Sequence, residues 1–492
     1  MKDLKERTIR GGFARVCAQA ANFLFRLGSL MILARLLGPQ DFGLVGMVTA
    51  FTGVLNLFRD FGLSTATVQR EDTTEEQVST LFWINMFVGG ALTVLALLLA
   101  PVMVMLYREP RLLEITMSLA VGFLFNGAGV QHSALLQRQM RFTALAVINI
   151  VSLTVGTALA IGMAELGLGY WALVAMTVSF PLTTTVGLWI ATAWIPGRPH
   201  RGTGVTSMLR FGGTITLNGL VVYVAYNMEK VLLGRFWGAD AIGLYGRAYQ
   251  LINIPTENLN SSVGEVAFSA LSRVQNDPIR FRSYFLKGYS LVLATTIPIT
   301  IICGLFAGDV ISVLLGVKWK DAVPIFRLLA PTILVFAMIN PLSWLLFSLG
   351  MVGRSLKVAL VLAPLVMGAY LVGLRYGPVG VAFAYSGVMT LWVIPHIKWC
   401  VHGTMVSLRD ILFAVGRPLL SGLVGAVFAF TLHSFCVPHM SALPRLVVGC
   451  LVLGAVYFVM LWYVMGQKAL YLDLLRGFRK RSLVEENALA SA

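Results

Sequence analysis

Five polar residues near the start of the chain, Arg15, Gln19, Asn22, Arg26 and Ser29, follow one another at intervals of four, three, four and three. Those intervals stack side chains on one face of an α-helix. The spacing returns in Thr49, Thr52, Asn56 and Arg59, with Asp60 adjacent, and in Gln250, Asn253, Glu257 and Asn260 around Pro255, where a kink is expected. A fourth stripe joins Thr214 and Asn218 to Glu229 and Lys230. Arginine presents a planar fork of donors that pairs with phosphate oxygens, and it stays charged at any cellular pH. Arg15, Arg26, Arg59, Lys230 and Arg247 are therefore candidates to hold a phosphate. Gln19, Asn22, Asn56, Asn218, Asn253 and Asn260 offer both donors and acceptors, as sugar hydroxyls require. Asp60, Glu229, Glu257 and Glu265 have two readings: they bind a proton or Na⁺ that drives transport, or they pair with Arg59, Lys230 or Arg247.

The elements that must position these residues are membrane helices. The 492 residues are 57% hydrophobic and 12% charged, with a mean hydropathy of +0.80, against roughly 25% charged residues in soluble domains. That balance excludes a water-soluble fold. About 20 apolar residues span the hydrocarbon core as a helix, and runs such as Phe82 to Met105 and Ile411 to Phe435 meet this length. The pattern predicts an all-α polytopic membrane protein with about 14 transmembrane helices, starting near residues 11, 41, 79, 112, 143, 169, 207, 241, 285, 322, 356, 379, 410 and 442. The first stretch contains Arg15, Arg26 and Arg35 and no small-residue cleavage site, so it reads as a retained helix and not a signal peptide.

The net charge of +16 needs no nucleic acid to explain it, because alternate loops carry it. With the N-terminus inside, 23 Lys and Arg fall in inner loops and tails and six, Arg108, Arg111, Lys318, Lys320, Arg375 and Arg445, in outer ones. This asymmetry places both termini in the cytoplasm and supports an even number of spans. Cations inside spans cost about 2.5–3.5 kcal/mol near a helix centre. Arg35, Arg235, Arg327 and Arg417 lie near span ends, where they snorkel to the interface. The deeper ones, on helices 1, 2, 7 and 8, imply a hydrated cationic cavity between two lobes, suited to an anion.

Self-comparison supplies the lobes. Leu33-Ala-Arg-Leu-Leu-Gly38 and Gly43-Leu-Val-Gly46 return 200 residues later as Leu233-Gly-Arg-Phe-Trp-Gly238 and Gly243-Leu-Tyr-Gly246. Each repeat holds six spans, an even number, so the copies run parallel about an axis along the membrane normal. The expected organisation is an N-lobe at 1–203, a pseudo-symmetric C-lobe at 204–403, a helix pair at 404–466 and a cytoplasmic tail at 467–492.

Several of these stretches carry a family resemblance: Leu33-Ala-Arg-Leu-Leu-Gly-Pro-Gln-Asp-Phe-Gly-Leu44, Ala66-Thr-Val-Gln-Arg70, Ser79-Thr-Leu-Phe-Trp83, Leu135-Leu-Gln-Arg138, Tyr170-Trp-Ala-Leu-Val174, Gly246-Arg-Ala-Tyr249, Ser269-Ala-Leu-Ser-Arg273 and Lys318-Trp319 ahead of Pro324. As a set they resemble the polysaccharide-transport branch of the multidrug, oligosaccharidyl-lipid and polysaccharide exporter superfamily, close to its colanic-acid-type Wzx flippases. The resemblance implies two six-helix lobes, alternating access and an undecaprenyl-pyrophosphate-linked oligosaccharide as cargo for exopolysaccharide, capsule or O-antigen. It also implies a cavity lined by helices 1, 2, 7 and 8, with Arg26 and Arg59 among its cations.

Other chemistries find little support. A GxxxxGKS or GxxxxGKT loop is absent, so ATP is not hydrolysed by this chain, and no cofactor is expected beyond H⁺ or Na⁺ coupling. Cys17, Cys303, Cys400, Cys436 and Cys450 form no CxxC pair and set no disulfide or metal site. The rival readings are a multidrug exporter of the same superfamily, whose typical cargo is cationic, and a membrane polymerase or glycosyltransferase, for which no DxD or HExxH is present. Expected partners are the lipid-linked glycan and membrane lipids; the basic tail from Lys468 to Arg481 reads first as a solvated juxtamembrane segment, with contact to anionic lipid, a polysaccharide polymerase or a chain-length regulator as the alternative.

Overall fold

The computed structural model describes residues 23–59, 74–199, 206–436 and 440–467, without the side chains of 206–222, 224–226, 257–263, 265, 266, 269, 352, 435 and 436. The described residues are helical and contain no strand. In chain order the helices are α1 (23–36), α2 (Pro39–Leu57), α3 (Glu75–Tyr107), α4 (Leu112–Arg138), α5 (Phe142–Glu165) and α6 (Tyr170–Thr192). A continuous run, Thr206–Arg273, follows. Gly238, at φ 81° and ψ −171°, breaks it into α7 (206–237) and α8 (239–273), because only glycine adopts this backbone cheaply. Among the described residues, Pro255 lies inside α8 without non-helical dihedrals, so the break falls at Gly238 and not at the expected proline.

The chain continues through α9 (Pro278–Leu305), α10 (Ala307–Leu314), a 3₁₀ turn at Val317–Trp319, α11 (Ala322–Leu329), α12 (Pro331–Ser348), α13 (Val352–Leu374), α14 (Gly377–Val401), α15 (Leu408–Cys436) and α16 (Ala442–Val459). Ten helices among the described residues are long and apolar enough to cross a membrane, with α11 and α12 counted as one span. Together with α1, α2, α7 and α8 they occupy the positions expected from hydropathy. Leu98, Met105, Ile190, Leu391 and Leu451 are each at least 67% exposed. Side chains of this kind, spread along helices instead of gathered in a patch, suit contact with lipid tails. The chain is a multi-pass membrane protein.

Two compact units emerge, Met1–Gly246 with Leu314–Trp319, and Arg247–Val313 with Lys320–Ala492. In the first, the repeated motifs meet. A Cβ on Gly43 would stand 1.8 Å from the Ala239 carbonyl oxygen, and one on Gly243 would stand 1.9 Å from that of Pro39. The contacts are reciprocal at an offset of 200, so the two copies of the motif cross backbone to backbone about a local pseudo-two-fold. The turn at 314–319 docks on the same corner. Trp319 is fully buried, its Nε1 donates to Ala34 O at 2.8 Å, and its ring meets Phe42 edge-on at 5.5 Å. Lys318 Nζ donates to Leu36 O at 3.0 Å, so both donors satisfy carbonyls in the last turn of α1.

Elsewhere in this unit His132 is fully buried beside Phe82, Trp189 and Trp194, and its Nδ1 lies 2.7 Å from Thr192 Oγ1. The Thr192 hydroxyl already donates to Leu188 O at 2.9 Å, so Nδ1–H is the donor to threonine.

In the second unit α15 and α16 seat on α9. Pro298 leaves the Ala294 carbonyl without its helical donor, and the Tyr457 hydroxyl donates there at 2.9 Å. Arg445 at the start of α16 forms a two-donor pair with Asp309, whose side chain is 4% exposed. Arg282 and Asp410 join the starts of α9 and α15 in the same way.

Two outcomes are expected. Gly43→Ala and Gly243→Ala should each lower the melting point of detergent-solubilised protein, corresponding to roughly 1–3 kcal/mol of overpacking. Gly162→Ala, with nothing within 4 Å of the new Cβ, should not. Arg445→Gln should destabilise by a few kcal/mol because it strands the buried Asp309 carboxylate, and adding Asp309→Asn should recover much of the loss; melting curves of the single and double variants decide this.

Candidate functional site

The polar stripes are positioned by ordinary helix chemistry. Pro39 opens α2, where its missing N–H has no intrahelical partner to lose, and Asp41 Oδ2 accepts from Gly38 N at 2.9 Å. The helix ends at Leu57, so Asn56 lies in its last turn and Arg59 two residues beyond its end, not inside the helix as spacing suggested. Arg59 Nη1 donates to Asn126 Oδ1 on α4 at 3.2 Å, and the Asn126 amide in turn donates to Gly122 O at 2.9 Å. Asn56 is exposed, and its Nδ2 donates to Thr52 O at 3.0 Å.

On α1, Arg26 is exposed. Ser29, three residues on, is buried instead; its Oγ donates to Phe25 O at 2.8 Å and sits 3.0 Å from Thr157 Oγ1 on α5. Ser29 therefore belongs to helix packing and leaves the stripe. Arg15, Gln19, Asn22 and Asp60 lie outside the described residues, as do the side chains of Asn218, Glu257, Asn260 and Glu265.

On α7, Lys230 Nζ donates to Asn227 Oδ1 at 2.7 Å, and Asn227 Nδ2 donates to Tyr223 O at 3.0 Å. The Tyr223 hydroxyl lies against Gly53 of α2 and donates to Ala50 O at 3.3 Å, which ties α7 to α2. Glu229 is 2% exposed, and its Oε2 is enclosed without a hydrogen-bond partner. The ammonium of Lys230 is hydrogen-bonded to an amide, and among the described residues no N–O contact within 4.0 Å joins it to Glu229, although the lysine charge still acts on that carboxyl.

In the second unit, Arg247 is half-buried and its Nη1 donates to Gln250 Oε1. Asn253 is half-buried, and its carbonyl accepts from Thr256 Oγ1 at 2.8 Å. The recurring arrangement is a cation held by the oxygen of a neutral amide: Arg59 by Asn126, Lys230 by Asn227 and Arg247 by Gln250. An amide oxygen satisfies one donor and leaves the charge in place. Asn126 was missed in the sequence because it lies 67 residues from Arg59, and Asn227 because it breaks the period of its stripe; an amide three residues before an in-span lysine was the available signal. Among the described residues no group of His, Cys, Asp and Glu can hold a metal ion.

Comparison with known proteins bears on the family and the fold. The chain is 26% identical to lipopolysaccharide biosynthesis protein WzxC of Escherichia coli, over 90% of this chain and 87% of that protein. It is 25% identical to succinoglycan biosynthesis transport protein ExoT of Rhizobium meliloti, over 91% of each. Teichuronic acid biosynthesis protein TuaB of Bacillus subtilis is 31% identical over 59% of this chain and 61% of its own length. Among solved structures, the lipid II flippase MurJ in an inward closed conformation superposes with a TM-score of 0.73 at 14% identity, covering 95% of this chain and 100% of that one. An inward-facing multidrug resistance transporter of the MATE family gives 0.62 at 16% identity, covering 77% and 93%. These likenesses show that the chain shares its fold with those two transporters. A family model described as polysaccharide biosynthesis protein matches residues 32–324, more than half of the chain, which therefore belongs to that family.

Proposed function

We propose that this chain is a flippase that carries an undecaprenyl-pyrophosphate-linked oligosaccharide across the bacterial inner membrane, by alternating access, for polysaccharide assembly. It is a transport protein and not an enzyme. The observation that carries the reading is that the hydrogen-bond partners of Arg59 and Lys230 among the described residues are amides and not carboxylates. A fixed positive charge near or inside a membrane is costly unless an anion meets it during the working cycle. A pyrophosphate supplies that anion, and Arg26, Arg59 and Lys230 are the groups proposed to receive it. Arg247 and Asn253 of the second unit serve the same cargo during its passage, and the amides of Asn56 and Asn253 suit its sugar hydroxyls. An organic cation, the usual load of a drug exporter, would meet repulsion from the same groups.

Glu229 is the described carboxylate best suited to a coupling proton, since it is buried and its Oε2 has no donor partner. Orientation follows from the loop charges, with both termini on the cytoplasmic side. The polymerase and chain-length regulator are the partners that would take the cargo onward.

Reconstituted protein should move a fluorescent undecaprenyl-pyrophosphate oligosaccharide between leaflets of a vesicle. Arg59→Ala and Lys230→Ala should each reduce the rate about tenfold, the effect of losing a charge-assisted hydrogen bond worth about 1.5–3 kcal/mol, with melting behaviour kept. Arg59→Lys should retain part of the activity, because it keeps the charge and loses the fork. Wild-type rates in both alanine variants would remove the basis of the assignment.

A further inference from the structure

The motif beginning at Tyr170 has no part in the phosphate chemistry, yet it builds a second polar-aromatic cluster within the first unit. Tyr170 and Trp171 open α6 with their rings side by side, centroids 5.4 Å apart and planes 32° from parallel, and both are half-buried. The preceding loop allows this pose because Gly167 and Gly169 take positive φ, +75° and +54°.

Three ionised side chains converge on that corner. Arg111, in the loop between α3 and α4, donates through Nε and Nη2 to the two oxygens of Glu109 at 2.8 and 2.9 Å. This fixes the plane of the fork, and among the described residues no hydrogen bond is made by the two N–H groups of Nη1. The Arg111 charge acts on Tyr170 and Asp41, which places those groups within its electrostatic range. Asp41 Oδ2 is taken by Gly38, while Oδ1 lies 3.0 Å from the place a Cβ on residue 169 would occupy, against the loop that leads into Tyr170. The Arg111 hydrogen bonds hold the Glu109 carboxyl below its ordinary pKa range, so it is ionised and purely an acceptor at neutral pH.

A pyranose ring has one chemistry on its faces and another on its rim. The C–H faces are apolar and stack on flat aromatic rings, whereas the hydroxyls need planar groups that donate or accept in pairs. An aromatic pair beside an arginine fork and two carboxylates meets both needs. We infer that Tyr170, Trp171, Arg111, Glu109 and Asp41 form a saccharide-binding subsite on the loop face of the first unit, with the rings as platform and the charged groups as hydroxyl partners. This inference rests on the proposed glycan cargo and refines it: the subsite holds sugar and not pyrophosphate. The charge asymmetry of the loops places Arg111 on the outer side, where exported glycan emerges. An aromatic belt alone explains the rings at a membrane interface but not an arginine fork fixed by Glu109 within electrostatic range of both Tyr170 and Asp41.

The test uses the full-length protein in nanodiscs and lipid-free oligosaccharides of two to eight sugars cut from the exopolysaccharide of its own host, with affinity read by thermophoresis. Wild type should bind, Trp171→Ala and Arg111→Gln should each weaken binding at least tenfold, and Trp171→Phe should stay within about threefold. Should Trp171→Ala fail to fold, Tyr170→Ala takes its place. Unchanged affinity in both loss variants, or no binding by wild type, overturns the subsite and leaves Tyr170 and Trp171 as membrane anchors. Leaflet transfer of undecaprenyl pyrophosphate without sugar, measured on the same samples, separates the two readings. Transfer with no oligosaccharide binding refutes the subsite alone, and binding without transfer of any lipid-linked cargo refutes the flippase alone.

Discussion

The first unit depends on one close approach, the crossing of α2 and the start of α8 at Gly43 and Gly243. Each glycine lies where a single added carbon would overlap the carbonyl of the facing helix. Backbones can come this near only when both partners lack a side chain, and the short distance replaces the hydrophobic drive that lipid cannot supply. The rest of the corner is arranged around it. Gly238 breaks the long helical run so that α8 starts beside α2, and Trp319 and Lys318 close the last carbonyls of α1 next to Pro39. Tyr223 then meets α2 again at Gly53, which carries the contact along the helices.

This packing also explains how cations persist in or near an apolar medium. Carboxylate partners would have removed the net charge, as they do for Arg282 with Asp410 and for Arg445 with Asp309. Arg59 and Lys230 are satisfied by amides from a neighbouring helix or the preceding turn. Carboxylates serve the pairs that join helices, whereas the hydrogen-bond partners of Arg59 and Lys230 among the described residues are amides. In the Arg111–Glu109 pair a carboxylate fixes the plane of the guanidinium through Nε and Nη2.

Much of this was legible in the residues before any coordinates. Hydropathy located the helices to within several residues, because burying a backbone in lipid demands long apolar helices whatever they pack against. The repeat at 200 residues pointed to Gly43 and Gly243 as equivalent positions, and the structure shows what they do. Spacing was less reliable for individual side chains. Ser29 shares the period of Arg26 but turns to Thr157, and Arg59 continues the period of Asn56 past the end of α2. A period describes a face of an ideal helix, whereas the neighbour met by that face, and the residue at which the helix stops, are set elsewhere in the chain.

The amino-acid sequence by itself determined the membrane setting, the helical architecture, the doubled motif and a surplus of cations, since each follows from composition or from periodicity along one chain. Only the tertiary structure decided which groups hold Arg59 and Lys230, that Glu229 is enclosed without a hydrogen-bond partner for Oε2 among the described residues, and that the Arg111 fork is fixed by Glu109 within electrostatic range of Tyr170 and Asp41. These depend on groups brought together from positions as far apart as 41 and 170, and the free energy of a hydrogen bond or ion pair depends on a distance in space that separation along the chain does not specify.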